Sequence, residues 1–459
     1  MQVPSQLLRV LEAIRSAGGS PKFVGGTVRD QVLGLEPKDF DVEVSLLEPS
    51  RLKEVLSSFG EVELIGASFG IFKIHGFNVE ADFSIPRREN RVGRGHKDFE
   101  VILEPNLPTI ERARRRDLTM NSMEMDLFTL EIADPFNGQK DMKDGWMRAT
   151  DVKTFVEDDL RAVRVAQFIS RFPDMRPDDV LIGLCAQADL SNLPGDRLWK
   201  EFEKMFLKGS RPDLGMDHLA KSGLLRFFPE VQDIVGCQQH PVFHAEGDVF
   251  EHTKLVLKAA ARMRSGDEKA DLILMFAALC HDLGKPVTTI WDPEKKRLTS
   301  NGHDVEGPKY ARPFLARVNA PNWLVEPVLI LVQEHLKPFE YVAQKAGSAA
   351  YRRLVRRMKG TSLQLLAKLA LADAEGSLCY STHIQTKEDV EEFVRRASDI
   401  GVANLQAPPD DVVKGRHLLA RGMQPGPHIG DILKRCREIQ DDTGEKNPET
   451  ILQRVLEGK

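Results

Sequence analysis

Residues 23–44 read FVGGTVRDQVLGLEPKDFDVEV: a short β-rich run, a pair of glycines, a segment of helical character and a second β-rich run. In the second run Asp39 and Asp41 stand at i and i+2, so on a strand both carboxylates point to one face. Two hard oxygen ligands converging in this way suit Mg2+. Gly25 and Gly26 open the helical segment, where backbone N–H groups free of side chains can approach phosphate oxygens. A D-x-D pair alone fits a solvent-facing edge strand equally well. Glycines placed to receive phosphate beside it favour metal-assisted chemistry on a phosphoanhydride. A later β-rich run, VEADFSI at 79–85, offers Glu80 and Asp82 on one face as a third carboxylate. With two metal ions, one lowers the pKa of an attacking hydroxyl and the other neutralises a departing pyrophosphate, and the expected reaction is nucleotidyl transfer.

Outward from this stretch, residues 1–150 mix β-rich runs (KFVGG, FDVEVSL, GIFKIHGFNVEADFSI, LEIAD) with helical segments. From 151 onward amphipathic helical stretches separated by Pro and Gly breaks dominate. A turn-rich, histidine-rich segment, GCQQHPVFHAEGD at 236–248, opens a further region, and QAPPDDVVKG at 406–415 reads as a linker before a last helical segment. The expected division is a head over 1–150, a helical neck over 151–235, a histidine-rich domain over 236–400 and a helical tail over 401–459. The class is α+β, with a small mixed sheet and its helices followed by all-helical parts.

Composition narrows the setting. At 41% apolar and 29% charged residues, the 459-residue chain has no apolar run near the roughly 18 residues that span a bilayer, so no membrane partner is expected. The N-terminal MQVPSQLLRVLEAIRSAGG lacks a secretory pattern, which predicts a cytoplasmic protein. Five scattered cysteines with no C-x-x-C predict reduced thiols, not a disulfide framework or zinc ribbon. A net charge of −5 gives no global attraction to nucleic acid, so RNA binding would fall to local patches. RRENRVGRGHK (87–97), RARRR (112–116) and RRLVRRMK (352–359) are the candidates, the last weighing toward a solvated helix face.

Through GGTVRD (25–30) and DFDVEV (39–44) the sequence resembles class II tRNA nucleotidyltransferases and bacterial poly(A) polymerases, members of the polymerase-β-like superfamily. The resemblance implies a polymerase-β-like head with Asp39, Asp41 and, preferred over Glu80, Asp82 as catalytic carboxylates holding Mg2+. It implies nucleotide contacts from Gly25, Gly26 and Arg29, and from RRDLTMNSM (115–123) through Arg115, Arg116, Asp117 and Asn121. Arginine suits phosphate because its fork binds two oxygens at once.

VEDDLRAVRVAQF (156–168) is similar to the family's EDxxR segment and brings Glu157, Asp158, Arg161 and Arg164 to the nucleotide. At i and i+3 of a helix, Asp158 and Arg161 would share a face and present an acceptor and a forked donor to a base's Watson–Crick edge, making the protein its own template. DRLWKEFEKM resembles a neck element in which Arg197 and Glu201 support that helix. The charged, glycine-bearing segment 84–101 corresponds to a flexible loop that helps switch specificity in the family.

Head motifs of this kind are shared by CCA-adding, CC-adding, A-adding and poly(A)-adding enzymes. GASFGIFKI (66–74) looks like the CCA-adding version. Expected partners are therefore tRNA, contacted at the acceptor stem and elbow, with CTP and ATP, for a monomer or homodimer.

The order His252, His281–Asp282, Asp373 matches the H…HD…D pattern of HD phosphohydrolases, and His303 and His335 add enough ligands for a second metal. Imidazole with carboxylate suits Mn2+, Ni2+, Co2+ or Fe2+, and Lys285 is placed to orient a phosphate. HPVFHAEGDVFEHT is similar to the start of HD domains attached to CCA-adding enzymes, which implies hydrolysis of 2′,3′-cyclic phosphate or 2′-phosphate ends. The reading of another class is a nucleotide phosphohydrolase with a vestigial head.

Overall fold

The computed structural model describes residues 3–37, 39–65, 70–77, 79–91, 99–378, 386–402 and 410–457. They form two compact units: one of residues up to 194 with 221–224, and one of residues 195–220 with those from 225 on. The finer division into head, neck, HD domain and tail is carried forward as a proposal.

The first unit is built on a seven-stranded sheet of order β3-β4-β5-β2-β1-β8-β9. Its strands are β1 (Ser20–Val24), β2 (Phe40–Ser45), β3 (Glu61–Ile65), β4 (Ile71–His75), β5 (Ala81–Ser84), β8 (Glu124–Asp126) and β9 (Ile132–Ala133). Only β2 and β5 pair in parallel; every other pairing in this sheet is antiparallel, so the sheet is mixed. On β2, Phe40, Val42 and Val44 are buried, and so are Glu43 and Ser45; Asp41 alone is exposed. A strand covered on both faces reads as a near-continuous buried run, and the single open position marks the site. The helix α1 (Ser5–Ser16) buries Leu7, Val10, Leu11 and Ile14 at helical spacing against β1 and α3 (Pro49–Ser57).

Several runs of the head that did not read as strands are strands, β8 among them. EVELI forms β3, and the segment expected as a loop over 84–101 contributes a two-stranded ribbon, β6 (Arg87–Arg91) with β7 (Phe99–Leu103), in the register Arg87↔Leu103 to Arg91↔Phe99. Residues 92–98 of that segment and GASF at 66–69 lie outside the described residues. So do Cys379 and residues 406–409 of the expected linker, while Cys185, Cys237, Cys280 and Cys436 are free thiols.

In the second unit the helix Glu268–Cys280 is buried continuously from Asp271 to Cys280. It packs against the helices Val249–Arg262, Asn322–Glu334 and Leu363–Gly376, and a helix apolar all round belongs at the centre of such a bundle. Phe276 from this helix stacks with Trp199 at 5.2 Å and meets Phe206 edge-on at 4.9 Å; Phe202, Phe228 and Phe314 extend the same aromatic core. Val413, Leu418, Cys436, Ile451, Leu452 and Val455 form a separate small core toward the C-terminus.

The third basic cluster is more than a solvated face. Arg356 pairs with Asp441 at 2.6 Å and Asp411 at 2.8 Å, Arg353 with Asp442 at 2.7 Å, and Arg357 with Glu334 at 2.6 Å. Three of its arginines thus tie their helix to segments before and after it. No helix among the described residues is long and apolar enough to cross a membrane.

Phe276→Ala should destabilise the second unit by about 3–5 kcal/mol, because an aromatic ring removed from a rigid core leaves a cavity. Urea denaturation of the full chain checks this, and a loss under about 1 kcal/mol would contradict the packing described.

Candidate active sites

In the first unit, β1 runs out at Val24 and the chain turns into α2 (Gly26–Val32) through Gly25, whose φ of +61° and ψ of −126° suit glycine. A Cβ on Gly25 would lie 3.1 Å from Arg116 Nη1 and 3.5 Å from Asp41 Oδ2. The bare backbone thus stands between a cation and a carboxylate. Thr27, the first side chain of α2, is buried, and its Oγ1 accepts the Asp41 N–H at 2.8 Å and donates to the Asp39 carbonyl at 3.2 Å. This clip fixes the entry to β2, with Asp39 just ahead of the strand and Asp41 on it.

Asp82 reaches the same place by register: β2 and β5 are parallel with Asp41 opposite Asp82. Desolvation raises the Asp41 carboxyl above its usual range; Arg116 opposes this, and Asp82 and Asp39 add to it. Crowded carboxylates with too few cations are a fit for a divalent metal. Lys73 on β4 pairs with Asp82 at 3.1 Å. Among the described residues no three head ligands have donor atoms all within 4.8 Å of one another, so this is a looser set than the one in the second unit.

Glu43 stands two residues beyond Asp41 on β2, at the strand alternation of D-x-E, and it was not singled out from the sequence. It is 3% exposed and takes three arginines: Arg115 at 2.8 Å, Arg112 at 3.4 Å and Arg116 at 3.8 Å. Burial works against its ionisation, but Arg116, Arg115 and Arg112 together hold it below its ordinary value near 4.5. Arg112 is itself bound to buried Glu124 through Nε at 2.8 Å. The basic run RARRR is therefore anchored from beneath, with Arg115 and Arg116 keeping partly open side chains.

Other residues expected at the nucleotide are hydrogen-bonded to one another. Arg29 is buried, donates to Asp30 and to Asn121 Oδ1 at 2.8 Å, and lies 5.0 Å from the Phe172 ring. Asn121 donates to Asp117 Oδ1 at 2.9 Å, and Arg164 donates to Asp117 Oδ2 at 2.8 Å. Burial disfavours the Asp117 charge, yet Arg164, Asn121 and Arg161 hold its pKa far below the usual range. Buried Arg29, Asn121 and Asp117 and partly exposed Arg164 make one chain linking α2 to the helix Leu160–Arg171.

One geometric expectation is corrected. Asp158 is not on a helix face with Arg161: the helix begins at Leu160, after Asp159. Acidic side chains compete for backbone N–H groups and settle ahead of helices, as Asp158 Oδ1 does in accepting the Leu160 N–H at 3.2 Å. The i, i+3 link is a turn in which the Arg161 N–H meets the Asp158 carbonyl at 3.0 Å. Arg161 also donates to the carbonyls of Thr154 at 2.8 Å and Arg115 at 2.6 Å, joining this turn to the basic run; Glu157 lies in the same turn. Arg197 and Glu201 lie on the helix Gly195–Lys208 of the other unit, where buried Glu201 accepts from Lys204 at 3.1 Å.

In the second unit, the apolar helix Glu268–Cys280 ends by delivering His281 and Asp282. Gly284 lets His303 approach: a Cβ there would fall 2.2 Å from the His303 carbonyl oxygen. His252 Nε2 lies 3.3 Å from His281 Nε2 and 3.0 Å from Asp373 Oδ1, and His303 Nε2 lies 3.2 Å from His335 Nε2. Asp282 stands between the pairs, Oδ2 at 3.2 Å from His281 and Oδ1 at 3.3 Å from His303.

The second nitrogen of each imidazole is engaged. Nδ1 of His281, His303 and His335 faces the carbonyls of Ala278, Ser300 and Val332 at 2.9, 2.7 and 2.7 Å, and that of His252 faces Glu246 at 3.0 Å. This aims four Nε2 atoms inward, the usual means of orienting metal-ligating histidines. Burial lowers His335 to about 4 and lowers His303, which keeps both neutral. Burial also opposes charge on His252, but Asp373 and Glu246 carry it to about 9. Lys285 pairs with Asp282 at 2.7 Å, yet neither Asp282 oxygen accepts a hydrogen bond. Two ligand groups, His252–His281–Asp282 and Asp282–His303–His335, share this buried carboxylate, a donor set that fits two transition-metal ions. Glu246, legible only as the acid of HAEGD, is the supporting residue missed from the sequence.

A head that sets Gly–Gly, aspartates and anchored arginines together, in a chain that also carries an H…HD…D cluster, defines a nucleotidyltransferase with an HD domain. Family models match accordingly: the poly A polymerase head domain over residues 22–148, a probable RNA and SrmB-binding site of polymerase A over 181–234, and the HD domain over 249–374. The multifunctional CCA protein of Vibrio parahaemolyticus is 32% identical over 320 residues, 68% of this chain and 74% of that protein. That of Haemophilus influenzae is 29% identical over 397 residues, 84% of this chain and 92% of that protein. The fold is that of the Bacillus stearothermophilus CCA-adding enzyme in complex with CTP (TM-score 0.64, 18% identity, 100% of this chain and 98% of that one). The Thermotoga maritima CCA-adding enzyme complexed with tRNA is similar as well (TM-score 0.58, 18% identity, 99% and 96%). The chain belongs to the family of multifunctional CCA proteins.

Glu43→Gln should cost on the order of 2 kcal/mol at pH 7, less than a fully buried pair because Arg115 and Arg116 keep access to water. A carboxylate whose folded pKa is depressed stabilises the fold above its unfolded pKa and loses that contribution as pH falls through the folded value. The gap between wild type and Glu43→Gln in urea denaturation should therefore narrow as pH drops below about 4.5. A gap constant from pH 7 to 3 would contradict the ionised role.

Proposed function

We propose that this protein adds CCA to the 3′ end of tRNA from CTP and ATP, and hydrolyses 2′,3′-cyclic phosphate or 2′-phosphate ends at its HD centre. The observation that carries the first activity is the bare Gly25, where any Cβ would fall 3.1 Å from Arg116 Nη1 and 3.5 Å from Asp41 Oδ2. A triphosphate laid there meets N–H donors, the Arg116 and Arg115 guanidiniums held by Glu43, and the carboxylates Asp39, Asp41 and Asp82. Those carboxylates would hold Mg2+, which when bound activates the 3′-hydroxyl and offsets the charge of the leaving pyrophosphate.

Arg161 keeps three of its five N–H donors after serving Thr154 and Arg115, and with Asp158 beside it in the turn it reads a base edge as donor and acceptor. The supporting chain Arg29–Asn121–Asp117–Arg164 keeps that turn in register with the phosphate site. Arg197 and Glu201 take the supporting place in the neck. Relatives named multifunctional CCA proteins, and solved structures of similar fold with CTP or tRNA, support the substrates. A tRNA-processing role places the protein in the cytoplasm.

At the HD centre, His252, His281, Asp282 and Asp373 would hold one transition-metal ion and Asp282, His303 and His335 a second. Bound metal there supplies an activated water for attack on phosphorus. Lys285 and Arg297, in a cavity of about 400 Å³ above these ligands, receive the phosphate.

Full-length protein incubated with tRNA lacking CCA should add two residues with CTP and a terminating third with ATP, resolved at single-nucleotide length. Asp39→Ala plus Asp41→Ala should cut this by about a thousandfold or more, several kcal/mol of transition-state stabilisation. His281→Ala plus Asp282→Ala should instead remove cyclic phosphodiesterase activity. An unbounded A ladder, or C or A alone, would refute CCA addition, and phosphodiesterase surviving the second double variant would refute the HD assignment.

A further inference from the structure

The open face of the head sheet carries a cation, Lys73, to which nucleotide binding gives no role. Antiparallel pairing of β4 with β5 sets Ile71 opposite Ser84 and Phe72 opposite Phe83, and the next step puts Lys73 opposite Asp82. Parallel pairing of β5 with β2 sets Asp82 opposite Asp41, and β1, whose chain turns at Gly25, flanks β2 on its other side. Register thus draws one row across the sheet: Lys73, Asp82, Asp41 and then the Gly25 turn beside Arg116. Side chains alternate along β4, so Phe72 and Ile74 go into the core while Lys73 stays on the face of the carboxylates.

Lys73 Nζ lies 3.1 Å from Asp82 Oδ1, its one ionic partner among the described residues. Glu63, opposite Lys73 on β3, is taken by His75 at 2.7 Å. The Lys73 side chain is 47% exposed, and an exposed ion pair of this kind contributes little to stability. An ammonium has three N–H donors, of which Asp82 takes one. When Asp82 holds Mg2+, its charge is shared with the metal, and Lys73 is left to find another anion.

Order along the row decides which reactant supplies that anion. In phosphoryl transfer the 3′-oxygen bonds to the α-phosphorus as the bond to pyrophosphate breaks, the two oxygens roughly in line on opposite sides of phosphorus. With the triphosphate over Gly25 and Arg116 at one end of the row, pyrophosphate departs there. The RNA's 3′-hydroxyl then arrives from the other end, over β5 and β4. On that strand the nearest negative group is the phosphodiester joining the last two nucleotides, and phosphate contacts are those that position a nucleic acid.

We propose that Lys73 binds the 3′-terminal phosphodiester of the RNA acceptor and so sets the attacking hydroxyl at the carboxylates. The contact is ionic and reads no base. It rests on the nucleotidyl-transfer reading of the head.

A double-mutant cycle between protein and RNA tests it. Full-length wild type and Lys73→Met are titrated with tRNA lacking CCA, its 3′-terminal linkage either native or an uncharged methylphosphonate, and binding is read by fluorescence anisotropy in Mg2+ without nucleotide. Lys73→Met should weaken binding of the native RNA about fivefold and lower the slope of log affinity against log salt by about one. In addition assays it should raise the KM for tRNA and leave that for CTP within about twofold. The neutral linkage should cost wild type the same factor and Lys73→Met nothing further, and Lys73→Arg should stay near wild type. Losses that multiply, an unchanged salt slope, or an equal rise in the KM for CTP would overturn the contact. A coupled cycle in binding, with no nucleotide added by wild type, would sustain the contact and end the nucleotidyl-transfer reading. No binding of tRNA by wild type would overturn both.

Discussion

A carboxylate placed inside a sheet must be paired or neutralised, and the head is organised around one that is paired. Glu43 sits two positions beyond Asp41 on the same strand face, shielded from water, and its charge draws Arg112, Arg115 and Arg116 onto the sheet. Isolated arginines on a short helix would wander in solvent, each losing side-chain entropy on binding phosphate. Anchored over Glu43, two of them are presented beside Asp41 with their orientation settled in advance. The Arg115 carbonyl in turn accepts a hydrogen bond from Arg161, so the cluster also ties down the turn before the helix Leu160–Arg171.

The HD centre solves a related problem differently. Asp282 follows a helix that is apolar on every side, so its charge is carried into the middle of a bundle. There it meets imidazoles from four separate helices or helix ends and one lysine, and its oxygens keep no hydrogen-bond donors. The bundle holds an acceptor set preshaped for cations, with each ring oriented by a carbonyl or by Glu246. Close approach at Gly284 brings His303 into this set, so a glycine with no chemistry of its own decides whether a second ligand group exists.

Basic residues show how far charge alone can mislead. RARRR and RRLVRRMK look alike as strings, yet arginines of the first are held by Glu43 and Glu124 and arginines of the second pair with Asp411, Asp441, Asp442 and Glu334. Which arginines remain available depends on carboxylates distant in sequence. Arg29, Asp117 and Asn121 tell the same story, for their polar groups are turned toward one another.

By itself the sequence determined the local devices: the strand that carries Asp41, glycines where backbone must turn and stay bare, and the order of histidines that outlines an HD centre. These follow from periodicities and steric rules acting within a few residues. Only the tertiary structure decided what depends on long-range pairing. It set Asp82 opposite Asp41 through strand register, gave Glu43 and Glu246 their roles, moved Asp158 out of the helix, folded part of the expected loop into a ribbon, and placed Lys73 beside Asp82. Such placements are fixed when distant segments bury surface and charge against each other, and no local pattern encodes which partner each will find.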